Sequence, residues 1–237
     1  MQINKKPSPY LLTPGPLTTS LATKKAMLND IGSWDNDFKQ ITQEIREKLI
    51  QILLETSTQN PSLTSDPYIA IPMQGSGTFS VEAMLGSFVP KNGKALVLSN
   101  GAYGLRCFEI LKYFNRPSEI LNFGDFLPPD PILLQEKLKN DQSITHVIII
   151  HCETSSGILN PITEIAKIVE KEHRSLLIDS MSAFGAIPID AGKIKFDALV
   201  SSANKCIEGV PGFGFVLAKK SVLIKSKNQS HSLSLEL

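Results

Sequence analysis

Lys205 lies in the run Ser201-Ser202-Ala203-Asn204-Lys205-Cys206, just ahead of a glycine-rich turn, Gly209-Val210-Pro211-Gly212-Phe213-Gly214. Upstream, Leu176-Leu177-Ile178-Asp179-Ser180 reads as an apolar strand that ends in a carboxylate. A carboxylate at one strand end and an amine past the end of a later strand suit a site for pyridoxal phosphate (PLP). The amine can form a Schiff base with the cofactor's aldehyde, and the carboxylate can keep its pyridine nitrogen protonated, which makes the ring an electron sink. Each residue also has a structural reading, Asp179 as a turn cap and Lys205 as a solvated surface cation. The small, glycine-rich flanks of Lys205 are unlike a charged surface stretch. They favour a partly desolvated amine of lowered pKa, the form that attacks an aldehyde.

Three further segments could complete such a site. Gln74-Gly75-Ser76-Gly77-Thr78 precedes an apolar-periodic helix. Small residues let backbone N–H groups at a helix start approach an anion, and Ser76 and Thr78 add hydroxyl donors. The same residues also read as a turn with N-caps. No GK[ST] follows, so it is not a Walker loop, and the third glycine of a dinucleotide fingerprint is absent. In Asn100-Gly101-Ala102-Tyr103-Gly104, Tyr103 could stack on a planar cofactor or pack into the core. In His151-Cys152-Glu153-Thr154-Ser155-Ser156-Gly157, the hydroxyls could orient the phenolic oxygen of a pyridoxal ring or simply shape a turn. His151 reads as a satisfied histidine at a strand end, and Cys152 and Cys206 as small buried fillers.

Apolar runs predict strands over Lys94–Leu98, His146–His151, Leu176–Asp179, Ala198–Ser201 and Gly214–Ala218. Runs without alternation mark strands buried on both faces. Helical periodicity is expected over Phe38–Leu54, Phe79–Phe88, Tyr103–Phe114, Pro131–Lys139 and Ile162–Lys171. Strands alternating with helices imply an α/β fold with a mostly parallel sheet, in which ligands bind beyond the carboxyl ends of the strands. Asp179, His151 and Lys205 all fall at or just after such ends. Pro7 to Thr19 reads as an extended arm and Gln59 to Asp66 as a polar loop. The expected organisation is an arm over 1–20, a large domain over 21–225, and a linker over 226–237 that enters a new strand.

The 237 residues carry a formal net charge of +1, so no long-range field draws the protein to nucleic acid or to an anionic membrane. The run Val147 to Ile150 is far too short to span a bilayer, and the N-terminus lacks the apolar stretch of a signal peptide. Cys107, Cys152 and Cys206 show no CxxC spacing and read as reduced thiols of a cytoplasmic protein. The four histidines show no HxxxH spacing, so no metal site is expected.

Taken in order, these segments resemble the fold-type I, class V PLP-dependent aminotransferases, and within them the branch that uses 2-aminoethylphosphonate. The matching runs include Leu12-Thr13-Pro14-Gly15-Pro16, Ser33-Trp34-Asp35-Asn36-Asp37-Phe38, Gln74-Gly75-Ser76-Gly77-Thr78-Phe79 and Asn100-Gly101-Ala102-Tyr103-Gly104. His151-Cys152-Glu153-Thr154, Asp179-Ser180-Met181-Ser182 and Asn204-Lys205-Cys206 complete them. The resemblance implies a seven-stranded, mostly parallel sheet flanked by helices, the PLP-binding large domain. It implies Lys205 as the Schiff-base lysine, Asp179 as the pyridinium partner and Thr154 at the phenolic oxygen. Ser76, Gly77 and Thr78 then hold the phosphate with Asn204 as a helper, and Tyr103 stacks on the ring. The implied reaction moves the amino group of 2-aminoethylphosphonate to pyruvate, giving phosphonoacetaldehyde and alanine, in a homodimer. It also implies a smaller C-terminal domain, beyond the segment matching Ser230-His231-Ser232, that supplies a substrate-gripping arginine. None of Arg46, Arg106, Arg116 and Arg174 matches it, so the large domain is expected to be truncated before that domain.

Other readings stay open on the sequence. A truncated, catalytically impaired remnant would keep the fold without turnover. Transaminases of the alanine–glyoxylate or serine–pyruvate type share the cofactor pocket. Cysteine desulfurases share the scaffold but need a mobile catalytic cysteine. A plain anion-binding module would leave Asp179 and Lys205 a coincidence.

Overall fold

The computed structural model describes residues 9–58 and 66–237. A seven-stranded sheet forms its centre. β1 (Tyr68–Gln74), β2 (Lys94–Ser99), β3 (Ser118–Asn122), β4 (Ile144–Ile150), β7 (Ser175–Asp179), β8 (Ala198–Ser202) and β9 (Phe213–Lys219) lie in the order β1-β9-β8-β7-β4-β2-β3. A small hairpin, β5 (Cys152–Glu153) with β6 (Ile158–Leu159), stands apart. β9 is antiparallel to both its neighbours, and every other pairing in the large sheet is parallel. The mixed, mostly parallel α/β architecture is therefore the one expected. Its carboxyl edge gathers the ends of β1, β2, β4, β7 and β8.

Among the described residues seven α-helices form, α1 (Leu21–Ala26), α2 (Asn36–Glu55), α3 (Gly77–Phe88), α4 (Ala102–Tyr113), α5 (Pro131–Asn140), α6 (Ile162–Lys171) and α7 (Lys220–Lys225), and α2 to α6 cover the sheet. The central strands are buried on both faces because two separate apolar layers form. Val147 and Ile149 of β4, with Leu176 and Ile178 of β7, face α2, α5 and α6 through Leu53, Leu138 and Ile165. Ile148, Ile150 and Leu177 face α3 and α4 through Met84, Leu85, Cys107 and Leu111. Strand side chains alternate. Asp179, two residues after Leu177, is thereby directed to the α3–α4 side.

The five central strands and five of the helices match the periodicity. β1 and β3 do not announce themselves, because they are the edges. β1 carries Pro72, tolerated on an edge strand whose free side needs no donor. β3, Ser-Glu-Ile-Leu-Asn, is nowhere fully buried. The six-residue helices α1 and α7 are too short to show a periodic face.

Two expectations at the ends of the chain are corrected. Over its described part, residues 9–19, the segment read as Pro7 to Thr19 is not an extended arm. It folds back on itself, since Leu11 N–H donates to Thr18 Oγ1 (2.6 Å) and Thr18 Oγ1 donates to the Pro9 carbonyl (3.1 Å). The segment after Ser226 enters no strand. Leu233–Leu235 form a single 3-10 turn, and the tail docks on α3, where Ser87 Oγ bonds the Leu235 carbonyl and the Leu237 N–H. An alternating pattern becomes a strand only beside a free sheet edge, and this one meets a helix. The loop expected over Gln59 to Asp66 falls on residues 59–65, outside the described residues. Among the described residues no helix is long and apolar enough to cross a membrane.

Candidate active site

A cavity of about 190 Å³ opens at the carboxyl edge of the sheet, between α3, α4 and the loops after β7 and β8. Its lining includes Gly77, Thr78, Tyr103, Asp179, Asn204 and Lys205, six of the eight residues singled out from the sequence. Residues up to 128 positions apart in the chain meet there because the strands that carry them run the same way. A wider groove of about 1090 Å³ adjoins it and shares Thr78 and Arg106.

Asp179 ends β7 and is 3% exposed. Among the described residues the one hydrogen bond to its carboxylate is from the Met181 N–H to Oδ1, at 2.9 Å. Burial pushes its carboxyl up to about 6, against that hydrogen bond, and the nearby Glu153 charge pushes the same way. A buried carboxylate of this kind, facing a cavity, is a site that wants a cation.

Lys205 stands on the turn after β8. That turn is closed by the Gly209 N–H on the Ala203 carbonyl (2.6 Å), and the Glu208 N–H caps the Lys205 carbonyl (2.8 Å). Ser202 Oγ donates to Asn204 Oδ1 (2.9 Å), which holds the amide at the cavity wall. Among the described residues Lys205 is the only lysine in that wall.

The α3 N-terminus forms the anion end. Gly75, at φ +113, takes a conformation that favours glycine, and its N–H donates to the Gly212 carbonyl (2.9 Å). The phosphate-loop candidate is thereby tied to the turn that follows Lys205. A Cβ on Gly77 would fall 2.6 Å from Met181 Sδ, so glycine lets α3 start close to the loop after Asp179. Ser76 is placed differently from its neighbours. Its hydroxyl accepts from the Phe79 N–H as the α3 N-cap (3.4 Å), and it does not line the cavity. Thr154 lies in the β5–β6 hairpin turn and is not in the cavity wall either.

Arg106 in the cavity wall and Glu153 behind it carry charge at the site and were not singled out from the sequence. Arg106 lines the cavity with its guanidinium 4.9 Å from the Tyr103 ring centroid. The signal was available, since residues three apart on a helix are neighbours. Glu153 is fully buried and caps α4. Its Oε1 accepts from the Ser155 hydroxyl (2.7 Å) and N–H (3.1 Å) and the Tyr103 N–H (3.4 Å), and its Oε2 accepts from the Gly104 N–H (3.3 Å). The N-cap residue Gly101 offers no side chain, so a carboxylate from a distant hairpin serves the helix start. Glu153→Ala should cost about 2–4 kcal/mol, because two N–H donors at the α4 start and two donors of Ser155 lose a buried charged acceptor. Urea denaturation checks this, and a loss under 1 kcal/mol would rule out the cap.

His151 is buried, with Nδ1 3.0 Å from Ser180 Oγ, and burial lowers it to about 4, so it is neutral at pH 7. Cys107 is buried, and burial drives its thiol well above the ordinary range. Neither is poised as a base or nucleophile.

The aminotransferase class-V family model matches residues 127–231. The chain is 56% identical over 229 residues to the 2-aminoethylphosphonate–pyruvate transaminase of Rhizobium meliloti (strain 1021). It is 54% identical over 233 residues to 2-aminoethylphosphonate–pyruvate transaminase 1 of Paraburkholderia xenovorans (strain LB400). These alignments take in 97% and 98% of the chain and 58% of each relative, so the chain spans under two thirds of the curated relatives' length. Among solved structures, ureidoglycine–glyoxylate aminotransferase from Bacillus subtilis superposes with a TM-score of 0.84 at 21% identity, over 98% of this chain and 59% of the other. Pyridoxamine–pyruvate aminotransferase from Mesorhizobium loti gives 0.82 at 22%, over 99% and 58%. Those two likenesses establish the shared fold, and the sequence matches place this chain, over the part of those relatives that it spans, in the class-V aminotransferase family.

Proposed function

We propose that this chain forms the cofactor domain of a PLP-dependent transaminase that moves the amino group of 2-aminoethylphosphonate to pyruvate, giving phosphonoacetaldehyde and L-alanine. The observation that carries the reading is the single cavity joining Asp179, Lys205 and the α3 N-terminus. The identity of 56% to a transaminase of that name supports the donor and acceptor.

The residues fit the cofactor on their own chemistry. Asp179 is a buried carboxylate facing the cavity, placed to accept from a protonated ring nitrogen. The cavity has room for one small ring and not for a dinucleotide. When bound, PLP supplies an electron-poor ring that takes up the electron pair released at the amine-bearing carbon.

Every other part is the protein's. Gly77 and Thr78 offer N–H and hydroxyl donors to the phosphate at the positive end of α3. Ser76 contributes by capping that helix. Tyr103 backs one ring face, with Arg106 against it, and Asn204 is held beside the lysine by Ser202. Asp179 accepts the ring N–H and, in its charged form, keeps that proton in place. Lys205 Nζ holds the cofactor and moves the proton at the substrate carbon. Thr154, on the hairpin turn outside the cavity wall, has its place at the phenolic oxygen from the family resemblance alone. The products exchange one amine for one carbonyl, so no external oxidant is needed.

A homodimer in the cytoplasm is part of this reading. Leu12, Leu28 and Trp34 stand exposed near the N-terminus, where a second copy would cover them, and all three cysteines are free.

The test is the visible spectrum of the purified protein with PLP, followed by addition of 2-aminoethylphosphonate. A Lys205-dependent band that bleaches with the phosphonate, and returns with pyruvate, is the expected result. A band that responds only to alanine or serine would overturn the donor. The absence of any band would overturn the cofactor.

A further inference from the structure

The motif Leu12-Thr13-Pro14-Gly15-Pro16 has no part in the chemistry above, yet the fold sets it directly on Lys205. A Cβ built on Gly15 would lie 2.3 Å from Lys205 Cδ, 3.0 Å from Lys205 Cε and 2.9 Å from the Asn204 carbonyl oxygen. Ordinary carbon–carbon contact is about 3.5–4.0 Å. The backbone of residue 15 therefore already touches the lysine stem, across 190 positions of chain, and only a residue without a side chain leaves the stem where it is.

The segment is built to stay there. Thr18 Oγ1 accepts from the Leu11 N–H (2.6 Å) and donates to the Pro9 carbonyl (3.1 Å), and Thr13 Oγ1 donates to the Pro16 carbonyl (3.0 Å). Pro14 and Pro16 flank the glycine and restrict the backbone on both sides of it. The result is a short strap, closed by its own hydrogen bonds, whose tip rests on the lysine stem.

We propose that Gly15 is a positioning residue for Lys205. Its strap forms the outer wall that confines the lysine stem and keeps Nζ directed into the cavity toward Asp179. The inference deepens the proposed function and rests on it for the importance of Lys205, while the contact itself stands on geometry alone. A side chain at position 15 must push the stem off this wall and take Nζ off its line toward Asp179. Displacing a reacting atom by about 1 Å can cost up to about a hundredfold in rate.

The experiment uses Gly15→Ala and two readouts. The first needs no cofactor. The purified protein is trace-labelled with acetic anhydride, and Lys205 is quantified by mass spectrometry against Lys193 as internal reference. The variant should label Lys205 about threefold faster or more, as the amine leaves its wall. The second is borohydride capture of pyridoxal phosphate at Lys205, expected to fall about tenfold. Pyridoxamine phosphate, which cannot condense with the amine, should bind within about twofold of wild type. Unchanged Lys205 labelling overturns the proposal. So does a parallel loss of pyridoxamine phosphate binding, which would make Gly15 a merely structural residue. If wild type captures no PLP while Gly15→Ala still speeds labelling of Lys205, the cofactor reading fails and the strap stands. Should Gly15→Ala fail to fold, Thr18→Val opens the strap without adding bulk beside the lysine. It should also raise Lys205 labelling relative to Lys193, and no rise would sink the idea.

Discussion

Lys205→Ala is expected to abolish covalent capture of PLP, and with it any transaminase turnover, by about four orders of magnitude or more. The scale follows from the role. Lys205 is the only amine in the wall of the cavity that holds Asp179, so no neighbour can take over the bond or the proton. Lys205→Arg separates charge from chemistry. It keeps a cation in place but offers no group that deprotonates near neutral pH, so it should fail as completely as alanine. Borohydride reduction followed by peptide mapping reads this without requiring turnover. If Lys205→Ala still captures PLP at above a tenth of the wild-type level, and at another lysine, the assignment is wrong.

Asp179→Asn should have opposite effects on stability and on cofactor binding. Burial raises this carboxyl from 3.8 to about 6, so the folded protein holds its proton more tightly than the unfolded chain does. The stabilisation from that proton is fully present below about pH 4 and is lost as pH rises through about 6. At pH 7 the cofactor-free protein therefore carries a penalty of about 3 kcal/mol for an unpaired buried charge. An uncharged asparagine should restore up to that amount. In urea denaturation the variant should be more stable than wild type at pH 7, and the gap should close by pH 4. Cofactor affinity should move the other way, falling roughly hundredfold or more, because removing one partner of a buried pair strands the other. Binding of PLP to wild type should also weaken as pH falls through about 6. A variant less stable than wild type at pH 7 would show that the charge already has a partner.

His151 gives the same pH range an opposing slope. Burial depresses it to about 4, so the unfolded chain takes a proton first as pH falls below about 6.5. Its contribution is present above that value and is lost as pH falls toward 4. The two residues are joined across the sheet by a backbone hydrogen bond, from the His151 N–H to the Asp179 carbonyl (2.7 Å). The Asp179→Asn comparison removes one slope and leaves the other.

The amino-acid sequence by itself determined the centre of this protein. Val147 to Ile150 and Leu176 to Ile178 are apolar at consecutive positions, and a strand of that kind has no stable place except between two covered faces. The intervening segments repeat at helical spacing, so a largely parallel sheet follows. Asp179 and Lys205 then fall at strand ends that must point the same way. Only the tertiary structure decided the rest. β1 and β3 are strands because an edge accepted them, not because their patterns demanded it. Ser76 caps α3 instead of lining the cavity, a choice between two uses of one hydroxyl that local sequence leaves equal. Glu153 caps a helix that starts 51 residues earlier, and Gly15 touches a lysine 190 residues later. Periodicity reports only the environment within a turn or two of chain. Contacts of long sequence separation arise when the sheet closes and brings its loops to one edge, and at that edge the site is assembled.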